Sequence, residues 1–326
     1  MSDTGVEIRA TDYHTGGEPF RIVTGGVDAL RGATILDKRR DAHERLDHVR
    51  RQLVYEPRGH ADMYGCFVTE PNDAEADLGV VFFHNAGYST ACGHGTIALV
   101  TWALDEGIVE RSEGENHVVV DVPSGRLETW ARVENGRVRS VRFRNVPAFV
   151  WAEGVELDDH TVDVAFGGAF YACLEERVEA GELPRLIELG RKLKNEVEAW
   201  QDVVHPVEPE LRDIYGVIFW QEEGEEPLTQ RNVAVFADGE VDRSPCGSGT
   251  SARLALLDRS GRLPRGSELR HLSIIGSEFR AHVVGDAAVA GIPAVVTEVE
   301  GSAYRTGAHN FVLDEMDPLG DGFLLR

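Results

Sequence analysis

Two cysteines stand in matched surroundings. Cys92 opens CGHGTIALVTWALDEG and Cys246 opens CGSGTSARLALLDRSG; the two align as C-G-x-G-T-x-A and close on a glycine at the same offset, Gly107 and Gly261. An internal repeat of this kind predicts two similar halves. Each half would present one thiol at the start of a helix, where free N–H groups and the positive end of the dipole favour anions and lower a cysteine pKa from about 8.5. The glycines around each thiol, Gly93 and Gly247 first among them, open the backbone to close approach, so a carboxylate held by both loops would place its α-carbon between two sulfurs. Two proton carriers on opposite faces of one carbon are what inversion of a stereocentre requires. Asp242, shortly before the second thiol, is placed to meet a cationic amine, or else to cap its turn or pair with Arg243.

The same motifs admit other readings. Cys92-x-His94 is half of a metal site, but no second Cys/His pair with suitable spacing accompanies it, so no metal is expected. A Cys92–His94 nucleophilic pair would serve only one half, because the mirrored position is Ser248, and at a helix start the imidazole is expected to point away from the sulfur. Cys66 and Cys173 lie in apolar runs, MYGCFV and FYACL, and read as small buried hydrophobes. Four scattered cysteines make no disulfide framework, and free thiols are expected.

The elements that must position these groups follow from periodicity. Residues 6–27 read as strand, glycine-rich loop and strand; residues 38–56 as a helix; GCFVTE and LGVVFFHN as a strand pair leading through AGYSTA into Cys92. The stretch 96–105 is apolar almost all round, the signature of a helix buried within a shell of strands. Alternations such as VVVDV, RLETWARV and RVRSVRFRNV predict antiparallel strands, VDVAFGGAFYACL a further strand, and 183–200 an amphipathic helix. IYGVIFW and NVAVFAD are expected strands around a polar loop, QEEGEEPLTQ, followed by a second helix over 250–257 and the strand-like runs HLSIIG, FRAHVV, AAVAGIP and AVVTEVEG.

With 326 residues and 42% hydrophobic composition the chain suits two domains: 1–125 with a returning segment at about 305–326, carrying Cys92, and 126–304, carrying Cys246, with the site in the cleft between them. A net charge of −23 argues against nucleic acid or an anionic membrane as partner. No apolar run reaches a membrane span and the polar start lacks a signal peptide's basic and apolar regions, so a cytoplasmic protein is expected. Only Lys38, Lys192 and Lys194 are lysine, a skew consistent with a halophilic, solvated acidic surface or with a GC-rich genome.

The strings HTGGEP, DMYG, HNAGYSTACGHGTIAL, VDVAFGGAFYA, DRSPCGSGTSA and DPLGDGFLLR, spread from residue 14 to residue 326, resemble the proline racemase family of proline racemases, hydroxyproline 2-epimerases and trans-3-hydroxy-L-proline dehydratases. The resemblance implies an α/β (α+β) fold of the diaminopimelate-epimerase type, two pseudo-symmetric halves each wrapping a mostly antiparallel sheet around a central helix. It also implies catalysis without a cofactor and, commonly in the family, a homodimer. Cys92 and Cys246 fall on the two proton-transferring positions, Asp242 on the acid that contacts the ring nitrogen, the amides of Gly93, His94, Gly247 and Ser248 on the carboxylate cradle, and Tyr64 and Phe236 on the aromatic walls. HNAGYST, GGAFYA and VFADGEVDRSP are phrased like the dehydratases, which usually carry threonine where this chain has Cys246, whereas racemases and 4-hydroxyproline epimerases carry cysteine there. Dehydration needs one base and loss of the 3-hydroxyl; inversion needs a proton donor on the far face, which cysteine supplies better than threonine.

The expected function is therefore racemisation or 2-epimerisation of proline or hydroxyproline by a two-thiol proton transfer. The alternative is trans-3-hydroxy-L-proline dehydration; remoter readings are an isomerase for an acyclic amino acid and a non-catalytic amino-acid-binding protein.

Overall fold

The computed structural model describes residues 7–314 and 316–325. The described chain begins with a hairpin, β1 (Glu7–Thr15) and β2 (Glu18–Gly25), turned by Gly16 and Gly17 at φ +59 and +94, values that favour glycine. The single helix expected over 38–56 is two, α1 (Ile35–Arg45) and α2 (Asp47–Val54). Thr34 starts the first with a capping box to Asp37; Leu46, at φ −116 and ψ 12, leaves the helical region; and Asp47 opens the second, pairing with Arg50 at 2.7 Å.

Strands β3 (Tyr64–Thr69) and β4 (Leu78–His84) pair antiparallel as expected and lead to α3 (Gly93–Asp105). A meander follows, β5 (Gly114–Val122), β6 (Gly125–Glu134) and β7 (Arg137–Arg144), then β8 (Ala148–Glu156). VDVAFGGAFYACL is a hairpin rather than one strand, β9 (Thr161–Phe166) and β10 (Phe170–Glu175), because Gly168 turns at φ +102 and Asn145 Nδ2 holds the Gly167 carbonyl at 2.7 Å. Helix α4 (Leu183–Trp200) occupies the expected residues.

The segment expected as a polar loop, QEEGEEPLTQ, is the far end of the hairpin β11 (Ile214–Glu225) and β12 (Leu228–Phe236). Arg231 on β12 pairs with Glu223 on β11 at 2.5 Å, so cross-strand charge pairing replaces apolar alternation there. After β13 (Glu240–Val241) come α5 (Gly247–Arg259), β14 (Leu269–Ser273), β15 (Glu278–Val289), β16 (Ile292–Gly301) and β17 (Ala303–Val312). β17 has no apolar alternation and is mostly exposed, so only its pairing with β1 makes it a strand.

The seventeen strands of the described residues join one mostly antiparallel sheet that curls into two shells. Helix α3, buried from Gly93 to Leu104, packs against β1, β2, β3, β6, β7 and β17; α5, buried from Gly247 to Leu257, packs against β8, β9, β10, β15 and β16. Burial on all sides is what α3, apolar without a polar face, requires; α5 also buries Ser248, Thr250, Ser251 and Arg253. Strand β16 links the shells by pairing with both β7 and β8. The architecture is α+β, two shells each around one helix. Residue 125 opens β6 within the β5–β6 hairpin, and β6 and β7 both pack on α3. Among the described residues no helix is long and apolar enough to cross a membrane.

Candidate active site

The two central helices start against each other. A Cβ built on Gly93 would lie 2.5 Å from the Gly247 Cα, one built on Gly247 would lie 2.7 Å from the Gly93 Cα, and both would meet Phe143 Cζ at 3.0 Å. Glycine at both positions thus lets the loops that carry Cys92 and Cys246 touch. Thr96 and Thr250 return their hydroxyls to the carbonyls of Cys92 and Cys246 at 2.9 and 2.8 Å, the same brace in each half. The first-turn amides of each helix, including those of Gly93, His94, Gly247 and Ser248, have no acceptor within their own helix.

The matched sequences do not give matched backbones. Cys92 is an extended N-cap at φ −154 and ψ 95, and its sulfur accepts the Gly95 N–H at 3.2 Å. Cys246 sits at φ 61 and ψ 97, a left-handed conformation that costs a residue with a Cβ about 1–3 kcal/mol and concentrates at functional sites. The Ser244 hydroxyl accepts the Cys246 N–H at 3.1 Å and helps to hold it there. Cys92 and Cys246 as residues are 6% and 5% exposed.

His94 does not turn away from its cysteine: both ring nitrogens lie 3.5 Å from Cys92 Sγ, and the ring is wedged edge-on against Phe20 and Tyr64. Asp242 Oδ2 lies 3.9 Å from His94 Nδ1, while its Oδ1 accepts the Ser244 N–H at 2.7 Å. Burial lowers the His94 pKa to about 3, so the ring is neutral and its approach to Asp242 is not an ion pair. On the other side Ser248 shares a hydrogen bond with Tyr171 at 2.7 Å, and the Cys246 thiol donates to the Tyr171 hydroxyl at 3.6 Å. Cys92, His94, Asp242, Cys246 and Ser248 are thereby brought together.

Tyr64 and Phe236 form part of an aromatic enclosure, with ring centroids 6.0 Å apart, that also includes Tyr215 stacked on Phe236 at 5.4 Å and Tyr171 edge-on to Tyr215 at 5.8 Å. Its hydroxyls cluster: Tyr64 donates to Ser89 in a short bond and shares another with Tyr215 at 2.9 Å. A cavity of about 510 Å³ adjoins this cluster, lined by His84, Ser89, Tyr215 and Ala237 among others. His84 itself faces Glu240 at 3.0 Å. Sequence reasoning missed Ser89, Tyr171 and Tyr215: the first two were in view within HNAGYSTACGHGTIAL and VDVAFGGAFYA without being given a role, and Tyr215 lay in a run read only as a strand. Glu18, also missed as a site residue, was in view within HTGGEP.

The electrostatics reverse one expectation. Burial pushes both thiols up, Cys92 further by the negative charge of Asp242 and, where they ionise, of Cys246 and Glu18, and Cys246 by Asp242; the Gly95 and Gly249 amides pull in the opposite direction and lose. Helix starts lower a thiol pKa when water or cations help, whereas here desolvation dominates. The Asp242 carboxyl is raised to about 6 and Glu18 well above the carboxylate range, both chiefly by burial. Cys66 and Cys173 are free core thiols, also pushed up by burial, Cys173 to about 12. Among the described residues no group of three or more His, Cys, Asp or Glu is arranged to hold a metal ion.

The sequence pattern of the family described as proline racemase matches residues 10–324. The chain is 45% identical over 323 residues, 96% of its length and 97% of the relative's, to a trans-3-hydroxy-L-proline dehydratase of Bacillus thuringiensis subsp. konkukian. It is 45% identical over 329 residues, 98% of each chain, to a 3-hydroxyproline 2-epimerase of Burkholderia multivorans. Its fold matches the crystal structure of a hydroxyproline epimerase from Agrobacterium vitis with bound trans-4-hydroxy-L-proline at a TM-score of 0.92, with 32% identity and coverage of 98% of this chain and 96% of that one.

Proposed function

The chain belongs to the proline racemase family, and from that premise we propose that it inverts the α-carbon of proline or a hydroxyproline between Cys92 and Cys246. The observation that carries the reading is the reciprocal contact of Gly93 and Gly247, which sets two buried thiols at the starts of two abutting helices. The substrate carboxylate takes the amides of Gly93, His94, Gly247 and Ser248, its ring nitrogen faces Asp242, and Tyr64 and Phe236 wall the ring. One sulfur, as thiolate, removes the α-proton; the C–H electron pair spreads into the carboxylate; the opposite thiol then delivers its proton to the other face and becomes the thiolate. The roles exchange with substrate handedness.

Because burial disfavours both thiolates, the ammonium of the substrate beside Asp242 supplies positive charge next to the sulfurs, while the Arg243 guanidinium is held by Asp62. No cofactor takes part in this scheme. The shells around α3 and α5 act as two domains that part to admit substrate, and the packing of β6 and β7 on α3 favours a break after Arg144 rather than at residue 125.

A second reading is supported by the Tyr64–Ser89–Tyr215 hydroxyl cluster, which offers partners to a ring hydroxyl. In it one thiolate removes the α-proton of trans-3-hydroxy-L-proline and the 3-hydroxyl leaves, with a proton, as water, giving a pyrroline-2-carboxylate. The test is incubation in D₂O and molar KCl with L-proline, trans-4-hydroxy-L-proline and trans-3-hydroxy-L-proline separately, followed by NMR. Loss of the α-proton signal with a D-enantiomer or new diastereomer supports inversion; conversion of the 3-hydroxy compound alone to a pyrroline carboxylate replaces it with dehydration.

A further inference from the structure

Glu18 belongs to the turn of the β1–β2 hairpin, and this turn grips both thiol-bearing loops. On one side Thr15, its cross-strand neighbour, donates its hydroxyl to the His94 carbonyl at 2.9 Å. On the other, Glu18 Oε2 accepts the backbone N–H of Arg243 at 2.7 Å, in the residue that follows Asp242. The Glu18 side chain is fully buried, and its second oxygen, Oε1, has no hydrogen-bond partner.

The charges around it do not balance. Three buried carboxyls, Glu18, Asp62 and Asp242, converge on residues 241–243, and the guanidinium nearest to them is Arg243. That guanidinium is spent on Asp62, at 2.8 Å, and stands 3.9 Å from Glu18. The Cys92 thiol, and His94, which is neutral and 3.9 Å from Asp242 Oδ2, bring no positive charge, and Ser244 gives its hydrogen bond to Asp242 rather than to Glu18. A dry carboxylate with one unpartnered oxygen beside a second carboxylate is strongly disfavoured, whereas a carboxylic acid in the same place still accepts the Arg243 N–H.

We propose that Glu18 is a positioning residue that holds Asp242 against the substrate nitrogen through the Arg243 backbone, as a neutral carboxylic acid. The inference rests on the reading of Asp242 as the acid that meets the amine. Glu18 touches neither reacting carbon nor sulfur; it acts through the loop. Its ionisation at higher pH would add a second negative charge beside Asp242 and disfavour the Cys92 thiolate further, so the alkaline limb of the activity profile carries its signature.

The experiment compares Glu18→Gln, Glu18→Ala and Asp242→Asn by kcat and KM from pH 6 to 10 on whichever substrate the NMR assay selects. Glu18→Ala should raise KM about tenfold with a smaller fall in kcat, since a displaced loop weakens binding first. Glu18→Gln, which keeps the acceptor and cannot ionise, should recover most of that loss and move the alkaline limb up by about half a pH unit or more. A Glu18→Gln enzyme as impaired as Glu18→Ala, or one with the wild-type alkaline limb, overturns the proposal even if Glu18→Ala fails to fold. Asp242→Asn reports separately: an unchanged KM there removes the amine reading of Asp242, and the positioning role falls with it.

Discussion

Gly93 and Gly247 pack Cα to Cα across the meeting point of two central helices, each occupying the space in which the other's Cβ would lie. The contact is backbone on backbone with Phe143 closing one side, so nothing at hand can swing away to admit a methyl group. Gly93→Ala or Gly247→Ala should therefore force the helices apart, costing about 1–3 kcal/mol as overpacking does. Urea unfolding and an α-proton exchange assay read the two consequences together. Wild-type stability and turnover in either variant would mean that the loops have slack.

Replacing either cysteine tests the division of labour. With Cys246→Ser, inversion should fall by about 10²–10⁴-fold in both directions, the usual worth of a positioned proton carrier. Dehydration of trans-3-hydroxy-L-proline, if the enzyme performs it, should survive better, since it needs only the thiol that removes the α-proton. Cys92→Ser and Cys246→Ser assayed from both enantiomers distinguish these cases; racemisation at a near wild-type rate in Cys246→Ser would eliminate the two-thiol route.

Much of this site was legible in the sequence because it is local: a repeated C-G-x-G-T-x-A marks two helix starts, and apolar content all round 96–105 marks a buried helix. What stayed hidden depends on neighbours distant in the chain. Tyr215 lies in a strand that reads as apolar, and its hydroxyl matters only through a bond to Tyr64, 151 residues away. The direction of the thiol pKa shifts was misjudged because the helix-start effect is visible in sequence and the depth of burial is not. The left-handed backbone of Cys246 is likewise invisible, since the aligned Cys92 is extended.

The hydroxyl cluster should set substrate preference. Tyr64 bonds Ser89 and Tyr215 in the aromatic enclosure, so a hydroxylated ring can exchange bonds with it while proline leaves it as it is. Tyr215→Phe should lower the ratio of kcat/KM for 3-hydroxyproline over proline by about 2–12-fold, the range of a neutral hydrogen bond worth 0.5–1.5 kcal/mol. Kinetics on both substrates give that ratio directly, and an unchanged ratio would place the ring hydroxyl elsewhere.

A net charge of −23 makes self-repulsion a cost of folding at low salt. Screening shortens to about 3 Å at 1 M salt, which should relieve it. Thermal midpoints should climb as KCl is raised from 0.1 M toward molar concentrations. A midpoint as high without added salt would remove the halophilic reading and leave the scarcity of lysine to genome composition.

Asp242 should trade stability for function in a way that pH reveals. Its carboxyl ionises near 3.8 in the unfolded chain but at about 6 in the fold, where burial opposes the charge. Below the lower value both states are protonated and nothing is lost; as pH rises through the window the unfolded chain ionises first, and the fold loses stability until about pH 6, beyond which the loss is constant. A displacement from 3.8 to about 6 corresponds to about 3 kcal/mol. Asp242→Asn removes this penalty, so its stability relative to wild type should grow between pH 4 and 6 and then level off, while KM for the substrate rises because the amine has lost its partner. Denaturant titrations of both proteins across that window give the comparison, and parallel stability curves would show that the carboxyl is not buried as a charge.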